Sequence, residues 1–278
     1  MHRIFFVLAT GALAWAVDDT ETIRQSYAAA PKLEVRNING SVRVTGSSTG
    51  GIQLVATKKI HADDQRALDQ ARTEVRLDAR PSGDVLRICV IQPWEDCSGS
   101  KNQYRKDSGC RGRDCDPDFW VTFDLELQVP TNIVLDLKTV NGSVSAKNTQ
   151  GDFDAKTVNG TVTVEDINGS GTAHTVNGQV KLSFSASPRQ SVDAKTVNGS
   201  IEAAFPKNMN GELRFKTFHG DVFTNFPTTA MVNEAPLTER RNGRTVVRSN
   251  RAFGVRVGSG GPEHHFETLN GSIEIKER

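Results

Sequence analysis

Aromatic residues make up only 6% of the 278 positions, and cysteine occurs four times. No apolar run reaches the ~20 residues that a membrane-spanning helix needs. Short motifs that place a metal or a phosphate are missing too. There is no H-E-x-x-H and no glycine-rich phosphate loop. Charge of one sign is also lacking: 34 Lys and Arg stand against 33 Asp and Glu. Nothing in that balance attracts a nucleic-acid backbone. What the chain does have is 24 glycines among many Thr, Ser and Val residues. That composition suits short strands joined by tight turns.

The N-terminus reads as a secretory signal peptide over residues 1–16. His2 and Arg3 form a basic start, Ile4 to Leu13 an apolar run, and Ala14-Trp15-Ala16 a small-x-small cleavage site near Ala16. Export to the periplasm, the cell surface or the medium is therefore expected. No cysteine stands immediately after the cleavage site, where Val17-Asp18-Asp19 follow, which argues against a lipid anchor. Residues 17–30 read as a linker and 31–278 as one domain. Cys89, Cys97, Cys110 and Cys115 are an even set in an exported chain, so disulfides are the first reading. Three pairings are open. A four-thiolate zinc site is the rival, but the paired C-x-x-C knuckles of such sites are absent. Three of the four lie in a polar stretch over 93–119, which disulfides would staple.

An internal repeat is the strongest signal. Thr-Val-Asn-Gly starts at Thr139, Thr157, Thr175 and Thr196, followed by Thr217-Phe218-His219-Gly220 and Thr268-Leu269-Asn270-Gly271. Asn37-Ile38-Asn39-Gly40 is an early copy. Successive offsets are 18, 18, 21 and 21 residues, then 51. Asn-Gly is a favoured hairpin turn, but a hairpin at Asn141-Gly142 would put Val140 and Val144 on opposite faces. If the chain instead runs on in extended form, Val140, Gly142, Val144 and Ala146 share one face by the two-residue period of a strand. The pattern therefore predicts an all-β fold, a parallel β-solenoid of ~18–21-residue coils stacked at ~4.8 Å. One short helix and the Cys-rich loop complete it. The repeat glycines supply either positive φ or close backbone approach.

Stacking would align equivalent side chains. Asn141, Asn159, Asn177 and Asn198 form an amide ladder, each beside its Gly142, Gly160, Gly178 or Gly199. Lys138, Lys156, His174, Lys195 and Lys216 form a largely cationic row, with Asp136, Asp154 and Asp193 two residues earlier on the same outward face. Two readings stand: mutual screening on a solvated wall, or a stripe that contacts acidic glycans or cell-wall polymers.

Elsewhere, Ala62 to Val75 reads as a helix capped by Asp63 or Asp64, with Ala67, Leu68, Ala71 and Val75 on one face. Val85–Ile91 and Trp120–Val129 read as strands. Residues 238–247 read as a hairpin around Asn242-Gly243, carrying Arg240, Arg241, Arg244, Arg248 and Arg251. Asp114, Asp116 and Asp118 alternate as in a calcium loop, but Phe119 replaces the required glycine and Leu125 the terminal Glu. His264-His265 lacks a third ligand. No catalytic, cofactor or metal residue is assigned. Six Asn-Gly-Ser/Thr triplets match the glycosylation sequon, but the turn accounts for them.

The series Leu-Lys-Thr-Val-Asn-Gly-Ser-Val at 137–144, its echoes to 220 and Glu-Thr-Leu-Asn-Gly-Ser-Ile-Glu-Ile at 267–275 resemble the bacterial putative-adhesin family of β-strand-repeat domains of unknown function. The resemblance takes in nearly all of the chain after residue 16. It implies a solenoid in a bacterial envelope or secreted protein and carries over no catalytic residue. The function expected is a noncatalytic adhesion, binding or scaffolding module. Its partner would be a cell-wall or surface glycan or an envelope protein, with membrane association not required. A polysaccharide-active enzyme and an envelope-stress sensor are the alternatives.

Overall fold

A computed structural model describes residues 16–48, 50–92, 118–231, 237–241, 244–248 and 253–278; for 237–241 and 244–248 it describes the backbone alone. The opening elements are β1 (Val17–Ala28), β2 (Lys32–Arg36), β3 (Val42–Ser47), β4 (Gly51–Ala62), α1 (Gln65–Glu74), β5 (Arg76–Ser82), β6 (Val85–Ile91) and β7 (Phe119–Pro130). The repeat region follows with β8 (Val134–Lys138), β9 (Val144–Lys147), β10 (Phe153–Lys156), β11 (Val162–Ile167), β12 (Gly171–His174), β13 (Val180–Phe184), β14 (Val192–Asn198) and β15 (Ile201–Phe205). The remainder is β16 (Gly211–His219), β17 (Val222–Thr224), β18 (Thr228–Ala230), β19 (Leu237–Arg241), β20 (Arg244–Arg248), β21 (Phe253–Val257), β22 (Glu263–Asn270) and β23 (Ile273–Glu277).

These strands make two large sheets. One runs β1-β4-β7-β3-β9-β11-β13-β15-β23-β17-β20-β19, the other β18-β21-β16-β22-β14-β12-β10-β8-β2-β6-β5. In the repeat, the chain passes through an Asn-Gly corner from a strand of the second sheet into one of the first. Each such pass is a rung, and successive rungs pair in parallel: Phe153 opposite Leu135, Val162 opposite Val144. The Asn-Gly units are not hairpin tips. The core lies between the sheets, where columns such as Val42, Val144, Val162, Val180, Ile201 and Ile273 are buried.

The side-chain parity expected across the corner is wrong. Val140, Val158, Val176 and Val197 are 37–38% exposed, while Thr139, Thr157, Thr175 and Thr196 are buried. The strand period holds within β8 and again within β9, but the chain changes sheets between them, so alternation does not carry through the glycine. A buried threonine is tolerated because its hydroxyl has work there: Thr157 Oγ1 donates to the Gly142 carbonyl at 2.8 Å and Thr175 Oγ1 to Gly160 at 2.8 Å. A Cβ on Gly160 would sit 2.1 Å from that same Gly142 oxygen, and one on Gly178 2.0 Å from the Gly160 oxygen. The glycine hydrogen standing in that place points at the carbonyl. Close approach is therefore the general reason for glycine in this column. Thr and Gly of each unit address one carbonyl of the rung before.

Spatial order departs from chain order. The C-terminal strands β22 and β23 insert between β14/β15 and β16/β17, so Asn198 meets Asn270 rather than His219. At the other end, β6 and β7 stack in parallel on β2 and β3, and β5, β4 and β1 add antiparallel strands. The expected linker at 17–30 is largely β1, paired with β4 from Val17↔Ala62 to Ala28↔Gly51. Its polar sequence hid a strand that needs only backbone pairing on one side, as protected edge strands do. The strands flanking Asn242-Gly243 pair antiparallel, Arg241 opposite Arg244. Arg251 lies outside the described residues.

Helix α1 packs beside β4. Asp64 caps it, accepting from Ala67 N at 2.7 Å, and Ala67, Leu68, Ala71 and Val75 are buried. Its C-terminal end is closed by the buried Lys58, whose Nζ donates to the carbonyls of Val75 at 2.6 Å and of Ala71 and Arg72 at 3.3 Å. Burial pushes the Lys58 pKa down, against the pull of Glu21 and Asp19.

His264 occupies an interior slot opposite Leu213 and is fully buried. Its Nδ1 accepts from Val192 N at 3.2 Å, and Nε2 has no partner. Burial, with the nearby His265, holds its pKa near about 4 rather than 6.5. The unfolded chain therefore takes up a proton near pH 6.5 while the folded one does not.

Two outcomes follow from this packing. Gly160→Ala is expected to cost at least about 3 kcal/mol and Thr157→Val about 1–2 kcal/mol, whereas Val158→Ser stays within about 0.5 kcal/mol, all measured by urea unfolding. For His264, the stability present above pH 6.5 falls by about 3 kcal/mol as pH drops toward 4. His264→Leu should flatten that segment of the stability–pH curve.

Candidate binding face

The outer face of the second sheet carries the rows expected from the repeat, in a different order. Lys138, Lys156, His174 and Lys195 stand opposite one another in adjacent strands. Lys216 does not follow Lys195; Glu267 of the inserted strand lies between them. At the other end Arg36 continues the row beside Lys138. The insertion was not readable from offsets, because 51 residues separate Thr217 from Thr268 and the sequence carries no sign of which rung lies outermost.

The acidic row holds these cations. Asp154 bonds Lys156 at 2.9 Å and reaches Lys138 at 3.5 Å; Asp193 bonds Lys195 at 2.9 Å and His174 at 3.2 Å. Asp136 takes Arg36 at 2.6 Å and Lys138 at 3.2 Å, and Glu267 takes Lys216. For Asp154 and Asp193, burial pushes the pKa up. Hydrogen bonds from Thr172 and Lys156 at Asp154, and from His174 and Lys195 at Asp193, outweigh it and hold both carboxyls below the ordinary value. Glu34 is drawn down to about 2 by its hydrogen bond from Lys32, against burial and with help from Arg87. Each member of the five-residue row thus has an anionic partner at hand.

The amide ladder runs through the adjacent corner. Asn141 Nδ2 donates to Asn39 Oδ1 at 2.9 Å, Asn159 to Asn141 at 2.8 Å, Asn177 to Asn159 at 2.9 Å, and Asn198 to Asn177 at 2.8 Å. Asn270 adds to Asn198 at 2.8 Å, and His219 Nδ1 meets Asn270 Oδ1 at 3.0 Å. The glycines Gly142, Gly160, Gly178 and Gly199 stack beside it, each Cα against the carbonyl of the preceding repeat glycine.

Between ladder and cationic row runs a ridge that parity reasoning had placed inside. Val140, Val158, Val176, Val197, Leu269 and Phe218 form it, and exposure climbs to 46% at Leu269 and 71% at Phe218. Where the ridge is tallest, a recess of about 430 Å³ lies between Val197, Leu269 and Phe218 on one side and Lys195, Lys216 and Glu267 on the other. The signal was present in the sequence as the one variable apolar position of each unit, larger in the last two copies.

Cys89 is buried on β6. Cys97, Cys110, Cys115, Asp114 and Asp116 lie outside the described residues, as do residues 93–117 of the expected Cys-rich loop and residues 1–15 of the expected signal peptide. His264 and His265 point to opposite faces, His265 pairing outward with Glu263 at 3.0 Å. Among the described residues no helix is long and apolar enough to cross a membrane.

Residues 124–250 match the family described as Toastrack DUF4097. The Toastrack match ends before β22 and β23, although these two strands sit inside the stack it covers. No curated protein matches the chain. Among solved structures, it is similar to a "putative cell adhesion protein" from Clostridium sporogenes at 12% identity, with 94% of this chain and 100% of that one covered and a TM-score of 0.42. A "putative adhesin" from Bacteroides fragilis superposes at 12% identity, 94% and 97% coverage and a TM-score of 0.36. A "putative lipid binding protein" from Parabacteroides distasonis does so at 11%, 94% and 97%, and 0.29. Likeness of that degree carries no argument about ligand or activity.

Because the rows screen each other on a partly solvated face, Lys156→Ala is expected to change unfolding free energy by less than about 1 kcal/mol. Urea unfolding at low and high salt checks this, and a loss of several kcal/mol would mean the row is structural.

Proposed function

We propose that this chain is an exported, noncatalytic binding or scaffolding module of the bacterial envelope, built as a β-solenoid of ~18–21-residue coils. The observation that carries the reading is the exposed ridge ending in the recess at Phe218. Soluble proteins seldom leave an aromatic side chain and an apolar line on their surface without a contact to make. Register-locked rungs hold that line rigid, so little order has to be created on binding. The partner is a cell-wall or surface glycan or an envelope protein, seated on the ridge with the cationic row at its margin. Disulfides among Cys89, Cys97, Cys110 and Cys115 would staple the 93–119 loop in the same exported setting.

A binding screen of the mature protein against glycans and peptidoglycan tests this. Phe218→Ala is expected to weaken a hit about tenfold. Charge reversal at Lys138, Lys156 and Lys195 reads the contribution of the stripe. A ligand whose affinity ignores both sets of substitutions would refute the assignment of this face.

A further inference from the structure

Asn-Gly is the dipeptide most prone to lose its side-chain amide, because the following N–H carries no neighbouring side chain to hinder its attack on the asparagine Cγ. The chain has nine such pairs. In the six pairs of the ladder both reacting groups are occupied. The glycine N–H donates to the next rung, from Gly142 to Asn159 O at 2.9 Å, from Gly160 to Asn177 O at 3.0 Å and from Gly178 to Asn198 O at 3.0 Å. Gly40, Gly199 and Gly271 do the same toward Asn141, Asn270 and His219. The amides are tied to one another along the column. Asn210 is tied as well, its Oδ1 accepting from Ser259 N at 2.8 Å.

Asn168-Gly169 differs. It forms the other corner of its rung, where the half-period echo places Gly169 on Gly151. Asn168 is exposed. Gly169 packs on Gly151, which puts Gln150 beside Asn168 in the preceding rung, and in the following rung the repeat offset grows from 18 to 21 residues. The Asn168 backbone N–H donates to Thr149 O at 3.1 Å, but among the described residues neither the Asn168 side-chain amide nor the Gly169 N–H has a hydrogen-bond partner.

We infer that, among the Asn-Gly pairs of the described residues, Asn168 is the modification site at which the folded protein deamidates, while the ladder asparagines are held inert. Gly169 N attacks Asn168 Cγ; the new C–N bond forms as the old one breaks, and the amide leaves as ammonia with the glycine proton. Water then opens the succinimide at either carbonyl, giving aspartate or isoaspartate. The isoaspartyl product adds a backbone carbon beside Gly169, where even a Cβ would fall 2.1 Å from the Gly151 carbonyl oxygen. That corner then cannot keep its stacking. The reaction needs no enzyme, so conversion at Asn168 records the age and heat history of the folded protein.

Peptide mapping of the full folded chain, incubated in warm, mildly alkaline buffer, tests the assignment. Two hydrogen bonds must open at each ladder site, so conversion at Asn168 is expected to outrun every ladder asparagine by roughly thirtyfold. In urea the ladder sites should catch up, since the folded contacts are gone. Ladder asparagines that convert in the folded chain as fast as Asn168 would overturn the inference. So would an Asn168 that keeps its amide in the folded chain but loses it in urea.

Discussion

One carbonyl per rung organises this protein. The oxygens of Gly40, Gly142, Gly160, Gly178, Gly199 and Gly271 each receive a threonine hydroxyl and face the Cα of the repeat glycine stacked next, both from the same Thr-x-x-Gly unit. The hydroxyl satisfies a carbonyl that the corner withdraws from water, and the missing side chain lets two backbones meet. Neither partner can be replaced alone: a larger residue at glycine collides, and an apolar one at threonine strands the oxygen. At the first copy Asn37 takes the threonine role, donating to Phe123 O at 2.8 Å and to Gly40 O at 3.1 Å. An asparagine amide can therefore stand in for the threonine hydroxyl at the same spacing from the glycine.

That fixed spacing makes the outer face a set of straight rows. Alignment brings like charges together along the stack, and the acidic row two residues earlier answers them. The result is a wall with little free positive charge despite its lysines, beside an apolar ridge that nothing on the described chain covers. Recognition of a partner by such a face draws on shape and on the ridge more than on net charge. The same alignment ties up the asparagines, so one column serves both to join rungs and to protect chemically fragile dipeptides.

The repeat, its offsets, the helix at 65–74 with its Asp64 cap and the parallel stacking at Asn141, Asn159 and Asn177 were all legible from residue types and intervals. The facing of Val140 and Thr139 was not, because a strand's alternation is a rule for one sheet and the corner passes between two. The strand at 17–28 escaped because its polar residues give no apolar signal; its partner β4 supplies the pairing.

Residue order alone determined that the chain would stack like units, since Thr-Val-Asn-Gly recurs at intervals only a regular winding can use. Which unit touches which was settled by the tertiary structure. The last copy, at Thr268, enters between the rungs of Thr196 and Thr217, placing Glu267 in the lysine row and Leu269 in the ridge. Like repeats offer nearly equivalent neighbours to one another, so local sequence cannot rank them. The choice falls to packing at the far end, where Phe184, Phe205, Phe266, Phe215 and Phe253 interlock in the interior.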